Sequence, residues 1–233
     1  MPDPVPFRPA VAGTQPPLDL PTYLGTRRRR PNLPPHPMPH TVTETTGPVF
    51  TAERFAPMAD MTRQGKEGAM GERIVVAGRV TDEDGRAVPH TMVEIWQANA
   101  AGRYDHTADR HDAPIDPNFH GAGRVFTDED GRYSVLTIRP GAYPWPNGPN
   151  AWRATHIHFS LFGPAFATRL VTQMFFPGDP LLALDPIFLG VPDARARDRL
   201  IAGFDPEIAV PDWALGYRFD IVLRGRGATP VEN

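Results

Sequence analysis

The chain contains no cysteine. That absence excludes disulfides, iron–sulfur clusters and thiolate-bound zinc, so any metal must be held by nitrogen and oxygen donors: histidine, tyrosine or carboxylate. Also missing are an apolar run of about 18 residues and a basic stretch leading into an apolar one. Neither a membrane span nor a secretory signal is therefore readable, and the cytosol is the expected compartment. An excess of one charge is lacking too, since 24 Lys and Arg against 27 Asp and Glu leave a formal net charge of −3. Without an overall basic field, neither nucleic acid nor an anionic membrane surface is expected as a partner.

What is present is proline, unevenly spread. Fourteen of the 29 prolines lie in residues 1–57, together with Arg27, Arg28, Arg29 and Arg30 in a row and the segment P-P-H-P-M-P-H. Proline fixes φ and removes a donor, so this part reads as an extended N-terminal arm laid over another surface, for which a partner subunit is a natural choice. Residues 58–233 read as one domain, in a chain of 233 residues with 40% apolar composition, enough for one substantial core. Strand-length β-rich runs occur at 72–80, 91–98, 132–138, 156–162, 169–176 and 217–223. The hexapeptide T-D-E-D-G-R occurs at 81–86 and again at 127–132, and its Asp-Gly step signals a tight turn. One helix is expected, over 192–204, with Asp193 as N-cap and Gly203 near its end. The pattern predicts a mainly β fold: a β-sandwich of antiparallel strands, with 100–125 and 141–153 as long loops where chemistry is usually placed.

Within the run 156–162, His156 and His158 stand two residues apart. On a strand they project from one face, about 7 Å apart at Cα, while Ile157 points the other way. Two imidazoles so placed can share one ion or can both be hydrogen-bonded surface groups, and spacing alone leaves both readings open. His36, His40, His90, His106, His111 and His120 sit in turns or in Pro- and Asp-rich loops and are assigned no metal. Of five tyrosines, Tyr104 and Tyr143 lie in long loops, in A-G-R-Y-D-H and P-G-A-Y-P-W. Each can be a packing residue or an oxygen donor, and phenolate is a hard anionic donor suited to Fe(III). Arg153, three residues before His156, falls on the opposite face of a regular strand, so a bend is required if it is to join the histidines.

The motifs E-I-W-Q-A-N-A-A-G-R-Y, A-P-I-D-P-N-F, G-A-Y-P-W, H-I-H-F and Y-R-F-D-I-V-L-R-G, with E-T-T-G-P at 44–48, follow one another in an order that resembles the intradiol ring-cleaving dioxygenases. Within that family they are most similar to the β subunits of the protocatechuate branch. The resemblance implies one non-haem Fe(III) per chain, held by Tyr104, Tyr143, His156 and His158. Tyr143 is then the exchangeable ligand, leaving as a catechol chelates and taking one of its protons. It implies catalytic roles for Arg153, as a fixed cation beside the reacting ring carbon, and for Gln173. Trp145 and Ile187 would line the substrate ring, Tyr23 would contact its carboxylate, and Trp96 would pack behind the ligands. Pro146 and Phe175 depart from the family pattern at positions that bear on substrate preference. The implied reaction is cleavage of protocatechuate by dioxygen to 3-carboxy-cis,cis-muconate in aromatic catabolism (the β-ketoadipate pathway). The chain would be the catalytic β subunit beside a homologous α subunit in an (αβ)n assembly. Two other readings compete. One is a homo-oligomeric enzyme for catechol or hydroxyquinol, whose usual helical N-terminal region the proline-rich arm contradicts. The other is a non-catalytic β-sandwich binding module, because a fold alone implies no activity.

Overall fold

The computed structural model describes residues 10–36, 50–162 and 169–232. The E-T-T-G-P segment, His40 and much of the expected arm lie outside the described residues. Among the described residues there are eleven strands: β1 (Arg73–Thr81), β2 (Met92–Trp96), β3 (Ala122–Phe126), β4 (Arg132–Ile138), β5 (Tyr143–Pro144), β6 (Trp152–Arg153), β7 (His156–Phe162), β8 (Arg169–Phe175), β9 (Gly203–Phe204), β10 (Leu215–Arg218) and β11 (Ile221–Val222). Three α-helices among the described residues, α1 (Thr26–Arg29), α2 (Pro186–Leu189) and α3 (Ala194–Asp198), are each about one turn long.

The fold is mainly β, as expected, and its strands form two layers. One sheet runs β3-β2-β7-β8, antiparallel throughout. The other is mixed: β1 pairs antiparallel with β4 but parallel with β10 and β11. Parallel pairing needs a long connection, and here more than a hundred residues, including the whole second sheet, intervene between β1 and β10. Alternate residues of each sheet meet between the layers. Ile74, Val76 and Val80 from β1 and Val135 from β4 pack with Val93 and Ile95 from β2 and with Ile157, Phe159 and Leu161 from β7. Each full burial of such a side chain contributes about 1.5–3 kcal/mol. Strand β7 is buried on both faces. Its odd-numbered residues fill the sandwich, and its even-numbered ones lie under loops and the segment 229–232.

Both T-D-E-D-G-R segments adopt the same turn. Asp82 Oδ1 accepts from Asp84 N and Arg86 N, and Asp128 Oδ1 accepts from Asp130 N and Arg132 N. The left-handed residue is glycine in each, Gly85 at φ 78° and Gly131 at φ 75°.

Three expectations need correction. The helix expected over 192–204 is capped by Asp193 but ends at Asp198. Beyond it, Phe175 N donates to Leu200 O at 2.7 Å and Ala202 N donates to Phe175 O at 2.9 Å, so the edge of β8 draws residues 200–202 into extended pairing. The run 217–223 is split, because Asp220 Oδ1 takes the Arg79 N–H at 2.8 Å in place of a backbone acceptor. The expected loops also contain strand: β3 begins at Ala122, and β5 pairs with β6 inside 141–153.

The described part of the arm lies on its own chain. Gly13 O accepts from Asp193 N at 2.9 Å, and Asn147 exchanges hydrogen bonds with Leu24 N at 2.9 Å and Thr22 O at 2.8 Å. Thr26–Arg29 forms a single helical turn, not an extended run, with the Thr26 hydroxyl bonded to Tyr23 O. No helix among the described residues is long and apolar enough to cross a membrane.

Candidate metal centre

The bend that Arg153 requires is built by two aspartates. Between β6 and β7 the N–H of Ala154 is taken by Asp185 Oδ2 at 3.0 Å, and that of Thr155 by Asp179 Oδ2 at 2.7 Å. These bonds satisfy backbone donors that leave the ladder. The same Asp185 oxygen accepts from Arg153 Nε at 2.8 Å, and Arg153 Nη2 donates to Gln173 Oε1. Gln173 pairs directly across from His158 on β8. Arg153, Asp185 and Gln173 are all buried, the aspartate completely. Burial alone would depress the guanidinium, but the Asp185 carboxylate outweighs it and keeps Arg153 charged.

Across the bend, His156 and His158 turn their Nε2 atoms toward each other, 3.2 Å apart. The other ring nitrogens are committed. His156 Nδ1 meets Ala154 O at 2.6 Å, and His158 Nδ1 meets Glu232 Oε2 at 2.8 Å. A carbonyl and a carboxylate can only accept, so both Nδ1 atoms carry a proton, and in the neutral form of each ring Nε2 presents the lone pair. Burial, then the charge of Arg153 and the neighbouring His158, pushes His156 well below the usual imidazole range, so it stays neutral. Trp96, opposite His158 on β2, stacks on that ring at 4.7 Å and 6°.

The two tyrosines arrive on facing loops. Asn99 Oδ1 accepts from Ala101 N and Arg103 N, and Asp109 Oδ2 accepts from Tyr104 N, which fixes the turn that carries Tyr104. Gly102, at φ 78°, lets that loop touch the next: an added Cβ would lie 2.1 Å from Ala142 O. The rings of Tyr104 and Tyr143 then meet edge to face, 5.4 Å apart, and Tyr143 Oη is 3.2 Å from His156 Nε2. The Tyr104 hydroxyl is buried and has no hydrogen-bond partner among the described residues. Burial, reinforced by the Tyr143 phenol, pushes Tyr104 well above the usual phenol range, and burial raises Tyr143 against the pull of Arg153. Gly102→Ala should force these loops apart, and metal retention should fall while the β-rich circular dichroism spectrum persists. Unchanged metal content would show that the approach of the loops is not required.

The donor set fits a hard, highly charged cation. Two lone pairs at 3.2 Å repel each other, and one Tyr143 proton can serve only one of them. The buried Tyr104 oxygen also lacks a partner among the described residues. A cation would serve all four donors, and its charge would make phenolate accessible where burial alone opposes it. Among the described residues no three His, Asp or Glu side chains gather as a metal site. The donors that do gather here are two imidazoles and two phenols.

Comparison with known proteins bears on what such a centre belongs to. A family model described as "Dioxygenase" matches residues 45–225. The protocatechuate 3,4-dioxygenase beta chain of Burkholderia cepacia is 59% identical over 216 residues, 91% of this chain and 92% of that one. The chain belongs to the intradiol ring-cleavage dioxygenase family. The protocatechuate 3,4-dioxygenase alpha chain of Pseudomonas putida is 31% identical over 82% of this dioxygenase and 95% of its own length. Among solved structures, catechol 1,2-dioxygenase from Pseudomonas arvilla C-1 superposes with a TM-score of 0.53 at 26% identity, covering 80% of this chain and 62% of that one. The family match begins at residue 45, inside the segment read as the arm.

Of the residues singled out in the sequence, the dioxygenase fold brings together Tyr104, Tyr143, His156, His158, Arg153 and Gln173. Trp145 lies beside them, its ring 5.2 Å from the Arg153 guanidinium and 5.0 Å from the Tyr23 ring. Tyr23 in turn carries the Arg29 guanidinium at 5.0 Å. A pocket of about 720 Å3 opens onto Trp96, Tyr104, Tyr143, Trp145 and His158, with His106, Arg110 and His111 at its rim. Tyr23 and Ile187 are not among its lining residues. Ile187 is buried on α2, behind the Asp185 cap. Sequence reasoning missed Asp179, Asp185 and Glu232. The first two carried a readable signal, an aspartate directly before a proline, the N-cap and first-turn pattern both in fact adopt.

Proposed function

We propose that this chain is the catalytic subunit of an enzyme that cleaves protocatechuate (3,4-dihydroxybenzoate) between its two hydroxyl-bearing carbons with dioxygen, giving 3-carboxy-cis,cis-muconate. The observation that carries the reading is the convergence of two imidazole Nε2 atoms and two buried phenols beside a permanently charged arginine. The identity to a protocatechuate 3,4-dioxygenase beta chain supports the substrate.

In this reading Tyr104, Tyr143, His156 and His158 hold one non-haem ferric ion. Bound there, Fe(III) supplies a Lewis acid that draws electron density from a chelated catecholate, so that a ring carbon meets dioxygen. The protein's own groups do the rest. Tyr143 Oη, whose ordinary preference for its proton is raised by burial, would be the base that takes a catechol proton. Arg153, locked by Asp185 and Gln173 and unable to rotate away, presents a fixed positive charge to the ring carbon that becomes electron-rich. Gln173 Nε2 and Trp145 Nε1 are buried donors without partners among the described residues, and an oxygen-rich substrate supplies the acceptors they lack. Trp145 and Ile187 would line the ring, and Tyr23 would meet the carboxylate. Pro146 and Phe175 would tune which substituents fit. A homologous α chain beside this one completes the assembly, with 1–57 as the arm and 58–233 as the catalytic sandwich. The chemistry belongs to aromatic catabolism in the cytosol.

Oxygen uptake by the co-expressed pair, assayed with protocatechuate, catechol and hydroxyquinol and with product spectra, tests the reading. The expected result is a red-brown protein, coloured by tyrosinate-to-Fe(III) charge transfer, that turns over protocatechuate fastest. A colourless preparation that stays inactive after ferrous loading and aerobic oxidation favours a binding module, and preference for hydroxyquinol or catechol overturns the substrate.

A further inference from the structure

We propose that Glu232 is a positioning residue of the metal centre, delivered to His158 by the segment 229–232. The inference rests on the ferric reading above and goes beyond it, since residues 229–232 carry none of the motifs that identify the donors. The segment is tied at every step. Thr229 exchanges hydrogen bonds with Val222 on β11, N to O at 2.9 Å and Oγ1 from Val222 N at 3.0 Å. Pro230 O accepts from Thr172 Oγ1 at 2.7 Å, Val231 N donates to Gln15 Oε1 at 2.7 Å, and Glu232 N donates to Val171 O at 2.8 Å. It thus leaves one sheet, crosses to β8 in the other, is pinned by the arm, and ends with a carboxylate 2.8 Å from His158 Nδ1.

Tail anchoring alone does not require that carboxylate. The backbone bonds hold the segment, whereas the Glu232 side chain is four-fifths buried and its carboxylate meets His158 Nδ1. Held this way, His158 keeps the tautomer that presents Nε2 to the site, its ring fixed between the carboxylate and the Trp96 face. The charges also balance. Arg153 and Asp185 cancel, two phenolates leave one unit of ferric charge, and Glu232 supplies the matching negative charge through the imidazole. The same charge favours ferric over ferrous iron.

The test uses the full chain in the co-expressed two-chain enzyme. Glu232→Gln keeps the size, the backbone bond and an acceptor, and removes only the charge; Glu232→Ala removes both. Iron affinity should fall by about 10-fold in the first and toward about 100-fold in the second. The ferric/ferrous potential should move positive and the charge-transfer band should shift, while the melting temperature of the iron-free protein stays at the wild-type value. Wild-type iron affinity and potential in both variants overturn the proposal. So does iron loss in Glu232→Gln matched by a drop in iron-free melting temperature, which assigns the residue to anchoring the segment. A wild-type protein that takes up no iron overturns the ferric reading itself, whereas a red wild type beside unchanged variants overturns this inference alone.

Discussion

Asp185→Ala should destabilise the protein by about 3–5 kcal/mol, a fall in melting temperature on the order of 10 °C for a chain of this size. Its turnover should also drop by about 100-fold. The size of the effect follows from three tasks carried by one fully buried side chain. Oδ2 neutralises Arg153 and takes the Ala154 N–H, while Oδ1 caps α2 through the N–H groups of Ile187 and Phe188. Removing it leaves a guanidinium charged, buried and uncompensated, which costs more than the ion pair itself contributes. It also frees the bend that aims Arg153 toward the histidines. Asp185→Asn separates these tasks, because the amide oxygen can still cap α2. Its stability loss should be smaller, while turnover falls as far as in the alanine variant. In an Asp185→Ala background, Arg153→Ala should cost little further stability, since the charge left stranded by the first change is removed by the second. Strict additivity of the two losses would show that the pair is not coupled and that the helix cap carries the effect.

How much of this could be read in advance depended on the range of the interaction involved. Strand periodicity is local, and the runs at 132–138 and 156–162 match β4 and β7 residue for residue. The repeated hexapeptide is local too, and both copies fold into the same aspartate-capped turn. The pair His156 and His158 was legible because a two-residue repeat puts side chains on one face whatever the sheet around it does. Three things were not local. The helix over 192–204 was overextended because its sequence does not reveal that Phe175, 25 residues earlier, would claim the backbone of Leu200 and Ala202. The close approach of the Tyr104 and Tyr143 loops rests on Gly102 meeting Ala142, a contact that no motif spacing encodes. The need for a bend at Arg153 was deducible from strand alternation, but its makers, Asp179 and Asp185, lie 24 to 32 residues away, and Glu232 lies 74 residues from His158. The donors themselves were readable as residue types, and what holds them was not.

His158→Ala and Tyr143→Phe should part company in iron content although both remove one donor of the same centre. His158 is fixed on three sides, by the β2 and β8 ladders, by the Trp96 ring and by Glu232. A ligand so immobilised contributes its full affinity, because little ordering remains to be done when metal binds. Its loss also leaves the Glu232 carboxyl without its imidazole partner, so most of the iron should be gone from the purified variant. Tyr143 is held differently. It sits on the two-residue strand β5, lining the pocket, and its hydroxyl meets His156 Nε2 at 3.2 Å. Tyr143→Phe should therefore retain iron close to the wild-type ratio, with a weaker red colour because one phenolate chromophore remains. Substrate chelation, followed by stopped-flow absorbance, should slow by about 100-fold or more, the ordinary contribution of a positioned base. Equal iron loss in the two variants would remove the distinction between a fixed ligand and an exchangeable one. Tyr143 would then be a structural donor, and the proton of an incoming catechol would have to leave by another group, of which the pocket rim offers His106 and His111.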